Sequence, residues 1–75
     1  MKHVVVLGAG RVGGAMARDL APDFKVTVAD KFPQALARMQ AFGLATREAD
    51  LSTSLGVKAA VADADIVVGA VPGFM

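Results

Sequence analysis

His3-Val4-Val5-Val6-Leu7-Gly8-Ala9-Gly10-Arg11-Val12-Gly13-Gly14 is the stretch that decides the fold. His3 to Leu7 is a mainly β-branched run closed by glycine, the pattern of a parallel strand covered on both faces. Gly8, Gly10 and Gly13 then spell G-x-G-x-x-G, with Gly14 directly after. From Arg11 to Ala21 the apolar residues Val12, Ala15, Met16 and Leu20 recur at helical spacing, and Pro22 lies just beyond. A glycine motif alone is weak evidence, but between a strand and a helix it points to a dinucleotide site. Gly8 allows a tight turn, Gly10 lets the backbone approach a pyrophosphate, and Gly13 lets helix and strand pack closely. Gly8, Ala9, Gly10, Arg11, Val12 and Gly13 thus form a candidate diphosphate cradle at the positive end of the first helix.

Outward from this unit, strand and helix signals alternate to the end. Lys25 to Ala29 reads as a second strand. Pro33 starts a second helix, whose apolar stripe is Leu36, Met39 and Phe42 and which Gly43 stops. Leu44 to Ala49 is a short third strand. Ser52 or Thr53 caps a third helix reaching Ala62, weakened by Gly56 and Val57. Asp65 to Val71 is a fourth strand, ended by Pro72. This β-α-β-α-β-α-β pattern predicts an α/β fold with a parallel, doubly wound sheet in the order 3-2-1-4. Two more strands normally follow the fourth, so residues 1–75 read as the N-terminal part of a dinucleotide-binding domain, truncated after that strand and lacking a substrate domain. Ile66 to Val71 would then be an open apolar edge, expected to pair with a second copy or with the remainder of a parent chain.

Asp30 ends the second strand 22 residues after Gly8, near the spacing of about 20 expected of a ribose-binding acid. A carboxylate there accepts from ribose hydroxyls and repels a 2′-phosphate, favouring NAD over NADP. Lys31 beside it partly offsets that repulsion. Asp50 and Leu51 follow the third strand, where adenine lies in such folds. Asp50 would accept from the adenine amino group while Leu51 covers the ring; equally, Asp50 serves to cap the third helix. Ala70, Val71 and Pro72 leave the fourth strand beside the expected nicotinamide ribose, or simply end that strand. No pairing of Ser, His, Lys or carboxylates suggests a general base with its orienting partner, so no catalytic residue is assigned. His3 falls at the opposite end of the sheet, Arg47 and Glu48 read as exposed charges, and Met16 and Met39 as core-facing.

Composition narrows the field further. Seventy-five residues allow one small domain, 55% of them hydrophobic, with a mean hydropathy of +0.52. Eight basic and seven acidic residues give a net charge of +1, without the runs that would mark a nucleic-acid or membrane surface. The absence of cysteine excludes disulfide, zinc-finger and iron–sulfur readings. No apolar run has transmembrane length, and the N-terminus lacks a cleavage-site pattern, so a cytoplasmic location is expected.

Val4 to Gly13, Val28-Ala29-Asp30-Lys31, and above all Ala64-Asp65-Ile66-Val67-Val68-Gly69-Ala70-Val71-Pro72-Gly73-Phe74 resemble the N-terminal, Rossmann-like domain of the saccharopine dehydrogenase family. The look is closest to its lysine dehydrogenase branch. The resemblance covers the whole chain and implies an NAD(P)-dependent oxidoreductase acting on the C–N bond of a lysine-related amino acid. Gly8 to Gly13 with Asp30 also look like the nucleotide-sensing cytoplasmic domains of potassium channels and transporters, which bind NAD or ATP as regulators. Those domains generally follow their fourth strand with an acidic, threonine-containing loop, where this chain has Pro72-Gly73-Phe74.

Overall fold

The structure, a computed structural model, describes residues 1–69 apart from the side chains of Arg11 and Val12. The elements are β1 (His3–Leu7), α1 (Arg11–Leu20), β2 (Lys25–Asp30), α2 (Pro33–Ala41), β3 (Ala45–Glu48), α3 (Ser54–Val61) and β4 (Ile66–Gly69). The strands form one parallel sheet in the order β3-β2-β1-β4, as the alternation predicts. Ala70 and Val71, expected to extend β4, lie outside the described residues.

Burial explains why β1 is central. Val4, Val5, Val6 and Leu7 are each at most 1% exposed, because both faces of the strand are covered. Val4 and Val6 join Val26 and Val28 beneath α1 and α2, while Val5 and Leu7 join Ala29 beneath Ala60 of α3. The outer strand β4 is open: Ile66 and Val67 are 39% and 46% exposed, as expected of an apolar edge strand.

The buried stripe of α1 differs from the expected one. Gly13, Gly14 and Ala17 are buried, Leu20 packs on the core, and Ala15 is exposed with Met16 half-buried. The helix meets the sheet through its smallest side chains, which lets the axes approach; an apolar count passes over glycine and so misplaces the stripe. Met39 of α2 occupies the room this leaves, since a Cβ on Gly14 would lie 3.1 Å from its Cε. Phe42 likewise leaves the predicted stripe of α2. It is 54% exposed, and the Arg18 guanidinium of α1 sits 4.2 Å from its ring centroid. Gly43, at φ 81°, ends the helix as predicted.

Thr53, not Ser52, caps α3: the Gly56 N–H donates to Thr53 Oγ1 at 3.0 Å. Gly56 is required here, because a Cβ would collide with the Asp50 carbonyl. At the other end of α3, Arg47 is half-buried and not the free surface charge expected from sequence. Its guanidinium donates to the Ala60 carbonyl at 2.7 Å and to both Asp63 carboxylate oxygens at 2.9 and 3.2 Å. A cation among the last carbonyls of a helix also complements its dipole. His3 completes this end. Its Nδ1 faces the Asp63 carbonyl at 3.1 Å and its Nε2 the Thr27 hydroxyl at 2.7 Å. A carbonyl only accepts, so Nδ1 carries a proton toward Asp63. The His3 N–H donates to Asp65 Oδ2 at 2.8 Å, fixing where β4 begins.

Two outcomes follow from this packing. Gly56→Ala raises intrinsic helix propensity by about 1 kcal/mol, yet the collision with Asp50 should make the variant less stable by about 1–3 kcal/mol. Urea denaturation reads the sign, and a raised midpoint would refute the close packing of that loop. The Arg47 hydrogen bonds, reinforced by its charge and by His3, hold the Asp63 carboxyl at about 2 against an ordinary value of 3.8. A depressed acid contributes stability above its unfolded value and loses it as the pH falls through its folded one. The denaturation midpoint should therefore fall between about pH 4 and pH 2, and fall less in Arg47→Met, where the partner is gone.

Candidate dinucleotide-binding site

In a parallel sheet all strands end at one edge, and that edge brings the glycine turn, Asp30, Lys31 and Asp50 together. The turn after β1 is built by backbone geometry. Gly8 adopts φ 110°, a region only glycine enters without strain, and its N–H donates to the Ala29 carbonyl at 2.7 Å. The next donor, the Ala9 N–H, goes to Asp30 Oδ2 at 2.8 Å. Asp30 Oδ1 accepts from the Phe32 N–H at 3.1 Å, and the Asp30 carbonyl accepts from the Ala49 N–H at 3.0 Å.

Gly10 then stands at the N-cap of α1 with φ −74° and ψ −167°, and no side chain caps the helix. The N–H groups of its first turn have no partner within the helix, and no acidic residue occupies that turn. Gly10 is informative because the protein itself does not require a glycine there. Its backbone angles suit any residue, and a Cβ would meet no atom within 4 Å. What a side chain would fill is open space at the N-terminal end of α1. That geometry fits a diphosphate, whose oxygens need close backbone approach and a positive helix end.

The remaining predicted residues divide. Lys31 is exposed, with its ammonium 5.3 Å from the centroid of the exposed Phe32 ring. Asp50 is exposed, and its Oδ1 accepts from the Ser52 N–H at 3.0 Å and the Ser52 hydroxyl at 2.6 Å. Those bonds, with the charge of Lys31 adding to them, hold its carboxyl below the ordinary value of 3.8. Leu51 is half-buried against the Val5, Leu7, Ala29 and Ala60 cluster, so part of its side chain serves the core beneath α3. Gly13 is buried in α1. Ala70, Val71 and Pro72 lie outside the described residues.

Two features of the site escaped sequence reasoning. One is Phe32, an exposed aromatic ring (56%) on the turn after Asp30; the apolar residue just before Pro33 was its only signal. The other is the bond from Ala9 to Asp30, a contact across 21 positions that no local pattern encodes. Among the described residues no group of three His, Cys, Asp or Glu side chains is arranged to hold a metal. No described helix is long and apolar enough to cross a membrane.

A β3-β2-β1-β4 parallel sheet, with a glycine turn and a helix lacking a side-chain cap at its carboxyl edge, defines a Rossmann-like α/β fold. The chain belongs to the saccharopine dehydrogenase NADP binding domain family, which it matches over residues 4–75. Among solved structures it is similar to the apo, histidine-tagged saccharopine dehydrogenase (L-Glu forming) from Saccharomyces cerevisiae, with a TM-score of 0.82 and 27% identity. The match covers 96% of this chain and 17% of that one. No curated protein matches. Family and fold together support a nicotinamide dinucleotide as the ligand of this domain.

Gly10→Val tests the site directly. The side chain enters free space, so stability should change by no more than about 1 kcal/mol, the scale of an altered N-cap. Dinucleotide affinity should fall by roughly a hundredfold, the loss of one or two charge-assisted hydrogen bonds. Calorimetry on variant and parent, with a thermal melt of each, checks both; undiminished affinity would place the diphosphate elsewhere.

Proposed function

We propose that this chain is the cofactor-binding part of a dehydrogenase acting on the C–N bond of a lysine-related amino acid, and that it takes NAD in preference to NADP. The observation that carries the cofactor reading is the Asp30 carboxylate, held 2.8 Å from the Ala9 N–H at the rim of the glycine turn. A ribose bound beside that turn meets an acceptor for its hydroxyls. A 2′-phosphate in the same place meets a negative charge. The family description names NADP, and Lys31 is the cation that supports that choice. Lys31 is drawn two ways, however, toward the Phe32 ring and toward the charge of Asp50, whereas Asp30 is fixed by two backbone donors. A fixed charge discriminates better than a mobile one.

When bound, the nicotinamide ring accepts or donates a hydride. The residues of this chain bind and orient: the turn at Gly8 to Gly13 takes the diphosphate, Asp30 the adenosine ribose, and the Asp50–Leu51 segment borders the adenine. The substrate class rests on the likeness to the yeast saccharopine dehydrogenase, of which this chain spans 17%. A substrate site would belong to other parts of such a protein.

Titration of the chain with NAD and with NADP tests the reading. NAD should bind tighter by about tenfold, the scale of one charge-assisted hydrogen bond gained or opposed. Tighter binding of NADP would show that Lys31 outweighs Asp30, and binding of neither would remove the cofactor assignment.

A further inference from the structure

Asp30 is placed to do more than meet a ribose. The Ala9 N–H lies inside the glycine turn, between the residue at φ 110° and the N-cap of α1. Ala9 itself is 1% exposed, so its donor needs a partner within the protein. Two bonds tie this turn to the end of β2: Gly8 N–H to the Ala29 carbonyl, and Ala9 N–H to Asp30 Oδ2. The first continues the sheet ladder and any residue at position 29 supplies it. The second depends on one side chain. Asp30 is also held from the other side, through Oδ1 and the Phe32 N–H, so its carboxylate is fixed between two backbone segments before any ligand arrives.

We infer that Asp30 is a positioning residue for the diphosphate turn, linking recognition of the adenosine ribose to the geometry that binds the phosphates. This rests on the cofactor reading above and adds a second role for the same carboxylate. Each carboxylate oxygen has two acceptor sites, so Asp30 retains capacity for ribose hydroxyls while it holds Ala9. Loss of the carboxylate leaves a buried N–H without a partner in the turn. The turn then loosens, and diphosphate affinity drops even for a ligand that has no ribose.

The test uses the 75-residue chain with inorganic pyrophosphate, which lacks a ribose, and with NAD. In the unmodified protein the NMR shift of the Ala9 amide proton should follow the titration of the Asp30 carboxyl, because the two share a hydrogen bond. In Asp30→Ala the Ala9 amide should exchange with solvent at least about tenfold faster, and pyrophosphate should bind several-fold more weakly, as removal of one charged partner implies. Asp30→Asn keeps an acceptor without the charge and should restore most of the pyrophosphate affinity while NAD remains weakened. If Asp30→Ala loses NAD but binds pyrophosphate as the parent does, Asp30 serves the ribose alone and the inference fails while the cofactor reading stands. If the parent chain binds neither ligand, both fail. Should Asp30→Ala not fold, the Ala9 shift in the unmodified protein decides, and a shift indifferent to Asp30 overturns the proposal.

Discussion

The chain must reverse from β1 into α1 within three residues without leaving a buried donor unpaired, and the rest of the structure is arranged around that turn. A glycine at φ 110° makes the reversal possible. The donors that follow are met by the end of β2, through a carbonyl and a carboxylate. Beyond them the helix begins without a side-chain cap and buries Gly13, Gly14 and Ala17. Their smallness admits Met39 from α2, so the second helix is positioned by the first.

Much of this was legible because the relevant signals are periodic or sterically forced. Val4 to Leu7 could only be a doubly covered strand, Pro33 and Gly43 punctuate α2, and alternation with right-handed crossovers leaves few sheet orders. The misplaced features share a cause. In α1 the buried face is made by glycines, which carry no hydropathy signal. Phe42 leaves the apolar stripe because Arg18 covers its ring outside the core. Arg47 reads as a surface charge until α3 is docked and presents the Ala60 carbonyl and Asp63 to it. At the site, G-x-G-x-x-G and the spacing to Asp30 were visible, but the bond joining them was not, since it exists only once β1 and β2 are paired.

The two ends of the sheet use their polar residues differently. At the amino edge, His3, Thr27, Asp63, Asp65 and Arg47 bond to one another and to backbone. These bonds tie β1, β2, β3 and the end of α3 together, so that end contributes order. At the carboxyl edge, by contrast, α1 begins without a side-chain cap. Parallel strands impose this asymmetry, since the helix N-termini that attract anions all lie at the edge where strands finish.

The two faces of the sheet are unequal as well, and this bears on the Asp50–Leu51 segment. Among the described residues, ten buried ones form the core under α1 and α2, against four under α3. In α3 only Ala60 is buried, and Leu55 is 80% exposed. Hydrophobic stabilisation scales with the apolar area removed from water, so the α3 face is held by less. It relies instead on the Thr53 cap, the fit of Gly56 against Asp50, and the Arg47 clamp at the far end. Regions with few buried apolar contacts open at lower free-energy cost than the core around them. The glycine turn therefore adjoins the larger of the two described cores and the Asp50–Leu51 segment the smaller one. A ligand spanning both would meet a better-packed border at the turn than at the Asp50–Leu51 segment.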